Sequence, residues 1–269
     1  MKFLRFKNKV DSLNEDKSIK SGFLDDENKV VELKGDILDY HNKDIKTILE
    51  NIVETHSLED IEIEAPTNPS KIVCIGLNYK DHAKEMNEEL PDRPTIFIKP
   101  STTVNRTDNI IIYPKISSRI DYEGELAAVI GKTTKQVSPE EASECIFGYT
   151  IINDVTARDF TLGDGQWTRG KSCDGFAPIG PFIETELDPL NQKIRTKVNG
   201  EIKQNSSTSQ MIFSPQEILS YVSQTMTFNP GDIIATGTPP GVGPMEADSI
   251  VEITIEDIGT LKNYLIKEE

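Results

Sequence analysis

Two glutamates stand one residue apart at the head of an apolar run. Glu123 and Glu125 precede and open the segment ELAAVI, residues 125–130, whose composition is typical of a buried β-strand. On a strand both side chains point to the same face, with Cα atoms roughly 6.5 to 7 Å apart, so the two carboxylates can converge on one cation. For such a pair taken alone, a solvated sheet face is the more common explanation.

A third carboxylate, Asp154, follows the apolar run of residues 147–152. Alone, an acid at this place is more typical of a helix N-cap than of a binding site. Taken together, three carboxylates without a matching set of histidines or cysteines indicate a hard oxygen site. Such a site suits Mg²⁺ or Mn²⁺, with Ca²⁺ next, whereas Zn²⁺ normally takes nitrogen or sulfur ligands.

His82 and Glu85 lie three residues apart where a short strand passes into a polar, helical segment. At this spacing the two side chains share a helix face, so the carboxylate can orient the imidazole as a general base. A surface histidine beside a surface glutamate is the alternative. Because residues 80–89 are almost wholly polar, they also predict a lid that becomes ordered mainly when ligand binds.

Two loops add a lysine and a hydroxyl. Lys171 stands in a glycine-bounded turn before a buried strand, where its ammonium can stabilise an enolate or a carboxylate. An exposed turn lysine is the alternative. Thr238 lies in the loop 235–243, whose hydroxyls and N–H groups suit a small anion, although a plain β-turn loop explains it nearly as well. No Gly-Lys-Ser/Thr follows the glycines, so the loop is not a P-loop.

The composition sets the class of molecule that carries these residues. The chain has 269 residues, 29 basic and 45 acidic, and a net charge of −16, so it repels nucleic acid and anionic lipid surfaces. Three scattered cysteines predict neither a disulfide framework nor a metal finger. The N-terminus interrupts every short apolar run with charges, and no stretch is long enough to span a bilayer. We therefore expect a cytoplasmic protein without a nucleic-acid or membrane partner.

Residues 1–68 form a predicted small N-terminal domain. Residues 19–24 and 29–33 predict a hairpin. The stripe Ile45, Ile48, Leu49 and Ile52 predicts a helix capped by Asp44. The segment APTNPS, residues 65–70, is the best candidate for a linker, which puts a boundary near residue 68 and a second domain at 69–269.

Short strands dominate the second domain. They are predicted at 72–75, 95–98, 110–113, 120–130, 147–153, 179–183, 233–235 and 251–255. Residues 156–162 look helical, and Asn199-Gly200 predicts a type I′ hairpin turn. Two capping boxes with proline at the first helical position, starting at Ser138 and Ser214, open predicted helices of about ten residues. Because strands and helices do not alternate regularly, the pattern favours a mostly β, α+β fold over a Rossmann or TIM architecture.

These segments together resemble the fumarylacetoacetate hydrolase family, in its order and spacing over residues 70–265. The matching pieces are GLNYKDHAKE (76–85), FIKPSTTV (97–104), DYEGELAAVIG (121–131), NDVTARD (153–159), GKSCDGFAPIGP (170–181), VNGEIKQ (198–204) and PGDIIATGTPPGVG (230–243). The resemblance implies a mixed β-roll with a distorted barrel, usually a homodimer.

The resemblance also implies roles for individual residues. Glu123, Glu125 and Asp154 match the ligands of a divalent metal, Mg²⁺ or Mn²⁺, with Ca²⁺ as an alternative. His82 and Glu85 match an acid/base dyad on a lid, and Lys171 matches the active-site lysine. The residues expected to bind substrate are Tyr79, Lys99, Arg158 and Thr238. Many members carry a glutamine in place of Thr161 and a threonine in place of Gly175, so this chain departs from the family beside the substrate.

The activity expected from the resemblance is hydrolysis of a C–C bond in a β-diketo acid or acylpyruvate-type 2-oxo acid, through a metal-bound enolate. The alternatives on the same site are an oxaloacetate decarboxylase and a 2-hydroxyhepta-2,4-diene-1,7-dioate-type isomerase. An acidic, metal-stabilised binding protein would explain the carboxylates but not the lysine, the His/Glu pair and the threonine loop. A glycosidase is disfavoured because its catalytic carboxylates usually lie far apart in sequence.

Overall fold

Strands make up most of the regular structure, and the helices are few and short. The computed structural model describes residues 1–9 and 18–269. The strands are β1 (Lys2–Asn8), β2 (Lys20–Leu24), β3 (Val30–Leu33), β4 (Ile52–His56), β5 (Ile61–Glu64), β6 (Lys71–Ile75), β7 (Ile96–Pro100), β8 (Val104–Asn105), β9 (Asn109–Tyr113), β10 (Ile120–Tyr122), β11 (Gly124–Ile130), β12 (Ile146–Asn153), β13 (Thr156–Ala157), β14 (Ala177–Glu184), β15 (Lys193–Val198), β16 (Glu201–Ser207), β17 (Ile233–Ala235), β18 (Gly243–Met245), β19 (Ile250–Ile255) and β20 (Gly259–Lys267). The helices are α1 (Ile45–Leu49), α2 (Lys80–Met86), α3 (Pro139–Ala142), α4 (Arg158–Asp164), α5 (Thr168–Lys171) and α6 (Pro215–Ser223).

One mixed sheet runs through the molecule. Within the described residues it has 12 strands in the order β4-β3-β2-β1-β14-β12-β11-β17-β6-β7, with β5 paired to β1 and β8 to β14. A five-stranded sheet, β16-β15-β19-β20-β9, and a three-stranded sheet, β13-β10-β18, complete the fold. The predicted mostly β, α+β architecture of the fumarylacetoacetate hydrolase type is confirmed, and its mixed sheets remain open.

The central strands of the large sheet end together on one side. Gly124, at the start of β11, pairs with Asn153, at the end of β12. Strand β17 runs antiparallel to β11 and parallel to β6, so β17 and β6 also end on this side. Every residue of β11 and β12 is buried, as expected for strands covered on both faces. The segments that follow β6, β12 and β17 therefore converge at one edge.

The largest apolar cluster packs the sheets against α6. Ile218, Leu219 and Val222 form the buried face of this helix, and the Ser214 capping box begins it as predicted. The second capping box, at Ser138, starts a shorter helix than predicted, because α3 gives way to a 3₁₀ turn at residues 143–145. Among the described residues, no helix combines the length and hydropathy needed to cross a membrane.

The N-terminal segment confirms one prediction and corrects another. The hairpin of β2 and β3 forms as predicted. Asp44 accepts a hydrogen bond from the Thr47 N–H at 2.8 Å and caps α1, but the helix ends at Leu49. Ile52 lies in β4 and pairs with Leu33 of β3, because main-chain pairing along a strand edge outweighs one more helical turn. Strand β1 pairs with β14, so one sheet crosses the predicted boundary near residue 68, and that boundary stays a prediction.

Within residues 69–269, two local features lie at the residues predicted to form the site. The predicted strand 120–130 is interrupted at Glu123, whose N–H donates to the side-chain oxygen of Asn153 at 3.0 Å. The predicted helix at 156–162 begins at Arg158, after the short strand β13. The Asn199-Gly200 turn joins β15 and β16 as predicted, with both residues at positive φ.

Candidate active site

Three carboxylates meet at the edge where the central strands end. Glu123 lies in the break before β11, Glu125 lies within β11 and Asp154 follows β12. One carboxylate oxygen of each lies within 4.8 Å of the others, and all three residues are buried. The three residues predicted as metal ligands are thus brought together by the pairing of two adjacent strands.

Two buried lysines neutralise part of this charge. Lys171 Nζ lies 2.8 Å from Glu123 Oε2 and 2.7 Å from Asp154 Oδ2, while Lys99 Nζ lies 2.5 Å from Asp154 Oδ1. Burial alone would lower the pKa of Lys171, but the charges of Asp154 and Glu123 raise that pKa above its ordinary value. Burial likewise favours a higher pKa for Asp154, yet the two lysines lower the pKa of its carboxyl below the usual range. Lys171 is therefore protonated and Asp154 ionised.

Of the three carboxylates, Glu125 has the fewest partners that offset its negative charge. In the described part of the chain, its hydrogen-bond partner is the Gly237 N–H at 2.8 Å. Burial, and then the charges of Asp154 and Glu123, raise the pKa of Glu125 well above its ordinary value. A buried carboxylate with so little compensation favours a nearby cation.

The surroundings fit a hydrated divalent ion. Tyr79 Oη and Asn153 Nδ2 are buried polar atoms without a hydrogen-bond partner among the described residues. Tyr79 is near enough to Glu125 for that carboxylate to add to the effect of burial in raising the tyrosine pKa. Three oxygen donors with unsatisfied polar atoms beside them match the ligand set and the bound waters that Mg²⁺ prefers.

A pair of arginines flanks the carboxylates. Asp121, fully buried, accepts hydrogen bonds from Arg119 Nε at 2.8 Å and from Arg158 Nε at 2.9 Å. Arg158 Nη2 also donates to Glu123 Oε1 at 2.6 Å. Arg158 was predicted from the sequence, whereas Arg119 and Asp121 were not. Part of their signal was available, since Arg119, Asp121 and Glu123 alternate in the sequence at the start of the predicted strand, and alternate residues of an extended chain share a face.

The His82 and Glu85 pair forms on α2 as the spacing predicted. His82 Nδ1 lies 2.8 Å from Glu85 Oε2, and Glu85 Oε1 also accepts the Gly241 N–H at 3.1 Å. With Nδ1 engaged, Nε2 is the nitrogen left for proton transfer. The contact with Gly241 ties α2 to the loop after β17. Movement of residues 80–89 as a lid stays a prediction.

Most of the predicted site residues line one cavity of about 670 Å³. The predicted residues that line it are His82, Glu85, Glu123, Arg158, Lys171 and Thr238. Glu125, Asp154, Lys99 and Tyr79 are buried behind this lining. Thr238 Oγ1 donates to the Gly124 carbonyl at 3.0 Å and accepts from Gln204 Nε2 at 2.8 Å, so its hydroxyl already has protein partners.

The two departures from the family pattern have local explanations. Thr161 is buried and its Oγ1 donates to the Arg158 carbonyl at 2.9 Å, within its own helix. Gly175 has φ +74°, a conformation that a threonine rarely adopts, so this turn suits glycine. Neither residue lines the cavity in the described part of the chain.

The fold and the site define a β-rich protein with a cluster of three buried carboxylates, and a His–Glu contact beside the same cavity, at the end of the central strands of a mixed sheet. The family model "Fumarylacetoacetate (FAA) hydrolase C-terminal" matches residues 71–266. The chain belongs to the fumarylacetoacetate hydrolase family, whose members are enzymes, as its motifs predicted.

The similar proteins include two with different named activities and one that is uncharacterized. An oxaloacetate tautomerase, YisK, of Bacillus subtilis is 44% identical over 225 residues, which cover 78% of this chain and 75% of that protein. An uncharacterized protein of Methanocaldococcus jannaschii is 51% identical over 84% of this chain and 92% of its own length. A 5-carboxymethyl-2-hydroxymuconate delta-isomerase from Mycobacterium smegmatis superposes with a TM-score of 0.88 and 35% identity, covering all of both chains.

Proposed function

We propose that this protein catalyses enol–keto isomerisation of a small 2-oxo dicarboxylic acid, for which oxaloacetate is the simplest test substrate. The observation that carries the proposal is the position of His82. Of the three histidines in the sequence, all within the described residues, only His82 lines the cavity that Lys171 and Glu123 also line. A single oriented imidazole is sufficient to move a proton between oxygen and carbon.

The carboxylates supply the other half of the site. Glu123, Glu125 and Asp154 would hold Mg²⁺ or Mn²⁺, which when bound supplies positive charge for the oxygens of a 2-oxo acid. Lys171 adds a fixed ammonium on the cavity wall, where it stabilises negative charge that develops on the enolate oxygen. Lys99, buried behind the wall, fixes Asp154 through its 2.5 Å contact. This positioning role replaces direct substrate binding as the role we propose for Lys99.

Proton movement balances without any cleavage. The enol O–H gives up its proton to His82 Nε2, and the imidazolium then delivers a proton from Nε2 to the neighbouring carbon, which returns His82 to its starting form. One O–H bond and the C=C bond are thereby exchanged for one C–H bond and a C=O bond. Glu85 holds the imidazole through Nδ1 and stabilises its protonated form. No water molecule is consumed, and the carbon chain stays intact.

Hydrolysis of an acylpyruvate, the activity that the sequence first suggested, is the second candidate. It is favoured by the same His82–Glu85 pair, which is also suited to activating a water molecule. The activities named for YisK and for the mycobacterial isomerase support isomerisation instead. Decarboxylation of oxaloacetate would need the metal held by the three carboxylates and Lys171 but no base. It therefore does not explain why the cavity holds an oriented histidine.

The test compares two substrates in one preparation with Mg²⁺ or Mn²⁺. We expect conversion of enol oxaloacetate to its keto form to be faster than release of pyruvate from an acylpyruvate. The conversion is monitored by the loss of enol absorbance. His82→Gln should slow the conversion by about 10² to 10⁴, the usual contribution of a positioned acid–base group. His41→Gln, the same change outside this cavity, is the control. Faster acylpyruvate cleavage, or an unchanged rate in His82→Gln, would refute the proposal.

A homodimer and a cytoplasmic location, both expected from the sequence, stay predictions. Sedimentation of the purified chain tests the first, and fractionation of its native cells tests the second.

A further inference from the structure

Two arginines are fixed side by side on one wall of the cavity before any ligand binds. Arg119 donates to Asp121 through Nε at 2.8 Å and Nη2 at 3.1 Å, and Arg158 donates to the same carboxylate at 2.9 Å. Their main chains are also joined, because the Arg158 N–H donates to the Arg119 carbonyl at 2.9 Å. Both guanidinium groups are therefore held by a buried anchor and by β-type pairing.

The two arginines differ in their exposure and in the N–H donors that remain available for a ligand. Arg158 has a second carboxylate partner in Glu123, and its side chain is 25% exposed. Arg119 has Asp121 as its ion-pair partner in the described part of the chain, and its side chain is 48% exposed. A guanidinium carries five N–H donors, so Arg119 keeps its Nη1 donors for a ligand in the cavity that it lines.

The balance of charges around the two arginines also favours Arg119 as the residue that binds an anionic ligand. Asp121 serves two guanidinium groups, so it offsets only one of their two positive charges. Glu123 offsets charge on Arg158 and Lys171 but makes no ion pair with Arg119. Arg119 is thus the lining cation with the least compensation, and an incoming carboxylate would find a rigid, bidentate partner there.

The rest of the lining suits a short carbon chain. Leu162, Trp167 and Met86 line the same cavity and expose much of their apolar surface to it or to solvent. Apolar groups beside a fixed arginine favour a ligand with a hydrocarbon spacer and a terminal anion.

We infer that Arg119 binds the distal carboxylate of the substrate and makes the site selective for 2-oxo diacids over 2-oxo acids with an uncharged tail. The inference rests on the proposed function to the extent that the reacting 2-oxo acid end lies at Glu123 and Lys171. Arg119 then acts as a specificity residue, and the reach from the carboxylate centre to its guanidinium sets the preferred chain length.

Calorimetry on the Mg²⁺-loaded protein tests this through binding affinity, which is measured independently of the rate of isomerisation. The ligands are two pairs of 2-oxo acids: 2-oxobutyrate against oxaloacetate in its keto form, and 2-oxovalerate against 2-oxoglutarate. We expect the wild type to bind the better diacid about 10- to 100-fold more tightly than its uncharged partner, the range for a charge-assisted hydrogen bond. Arg119→Met should abolish that preference by weakening only the diacid. Arg119→Lys should restore part of it.

The control is Arg195→Met, which makes the same charge change at an exposed position of β15, outside the cavity lining. It should leave both ligand classes unchanged, which separates a local contact from the loss of one positive charge. Absence of a diacid preference in the wild type would overturn the inference without any variant. Equal weakening of both classes in Arg119→Met would also overturn it. A preference that Arg119→Met abolishes, in a protein that does not isomerise oxaloacetate, would uphold the inference and refute the proposed function.

Discussion

We propose that Glu85 acts on the reaction through His82, and this predicts non-additive losses of activity in a double-mutant cycle of the two residues. Its carboxylate lies 2.8 Å from His82 Nδ1, but its side chain is 45% exposed, so solvent screens the pair. A screened, charge-assisted contact contributes about 1 kcal/mol, and Glu85→Gln should therefore lower kcat/KM for enol oxaloacetate by about 5-fold. His82→Gln should lower it by about 10² to 10⁴.

The informative protein is the double variant. If Glu85 acts by orienting the imidazole, then its substitution costs nothing once the imidazole is gone, and the double variant should match His82→Gln within about 2-fold. Glu89→Gln makes the same charge change on an exposed residue nearby and should leave kcat/KM unaltered. Magnesium affinity, measured by calorimetry, should be the same in all five proteins. A further 5-fold loss in the double variant would show that Glu85 touches the reaction independently of His82.

Three further predictions concern metal binding by the carboxylates and the stability of the fold. Glu125→Gln removes the least compensated buried carboxylate, so the heat of Mn²⁺ binding should vanish while the melting temperature of the metal-free protein holds or rises; unchanged Mn²⁺ affinity would contradict this. Burial raises the pKa of Asp232, but the Asn229 N–H, Lys71 and Ser70 lower it below the ordinary value. Asp232→Asn should therefore cost on the order of 1–3 kcal/mol of unfolding free energy at pH 7. That difference should shrink as pH falls below about 4, where the wild type loses the contribution by protonation, and equal urea midpoint shifts at pH 7 and pH 3 would contradict it. Ser214→Ala removes the α6 cap and should cost about 1 kcal/mol in urea unfolding, with Ser214→Asp as the conservative control; equal stability of the two variants would argue against the cap.

The carboxylate site was predictable because its signals are local. Glu123 and Glu125 share one short segment, and Asp154 ends the neighbouring apolar run, so adjacent strands were sufficient to bring them together. The His82 and Glu85 contact followed from helical spacing in the same way.

The buried ion pairs were not predictable, because they join distant segments. Nothing in the sequence around Lys99 indicates that its ammonium meets Asp154, 55 residues later, behind the cavity wall. The family resemblance placed Lys99 among the substrate-binding residues, and that role stays a prediction. The end of α1 was missed for a related reason, since the stripe that included Ile52 does not reveal that β3 offers it a strand partner.

The pairing of β1 with β14 limits how this protein can be divided. A chain shortened to start at residue 69 would lose the strand that covers Ile183 and Glu184, leaving part of the edge of β14 without its main-chain partners. It would also lose Phe3, which packs against Phe147 with ring centroids 5.2 Å apart. An uncovered strand edge beside exposed aromatic surface recruits other chains. We therefore expect residues 69–269, produced without β1 or a substitute for it, to self-associate in competition with the native fold.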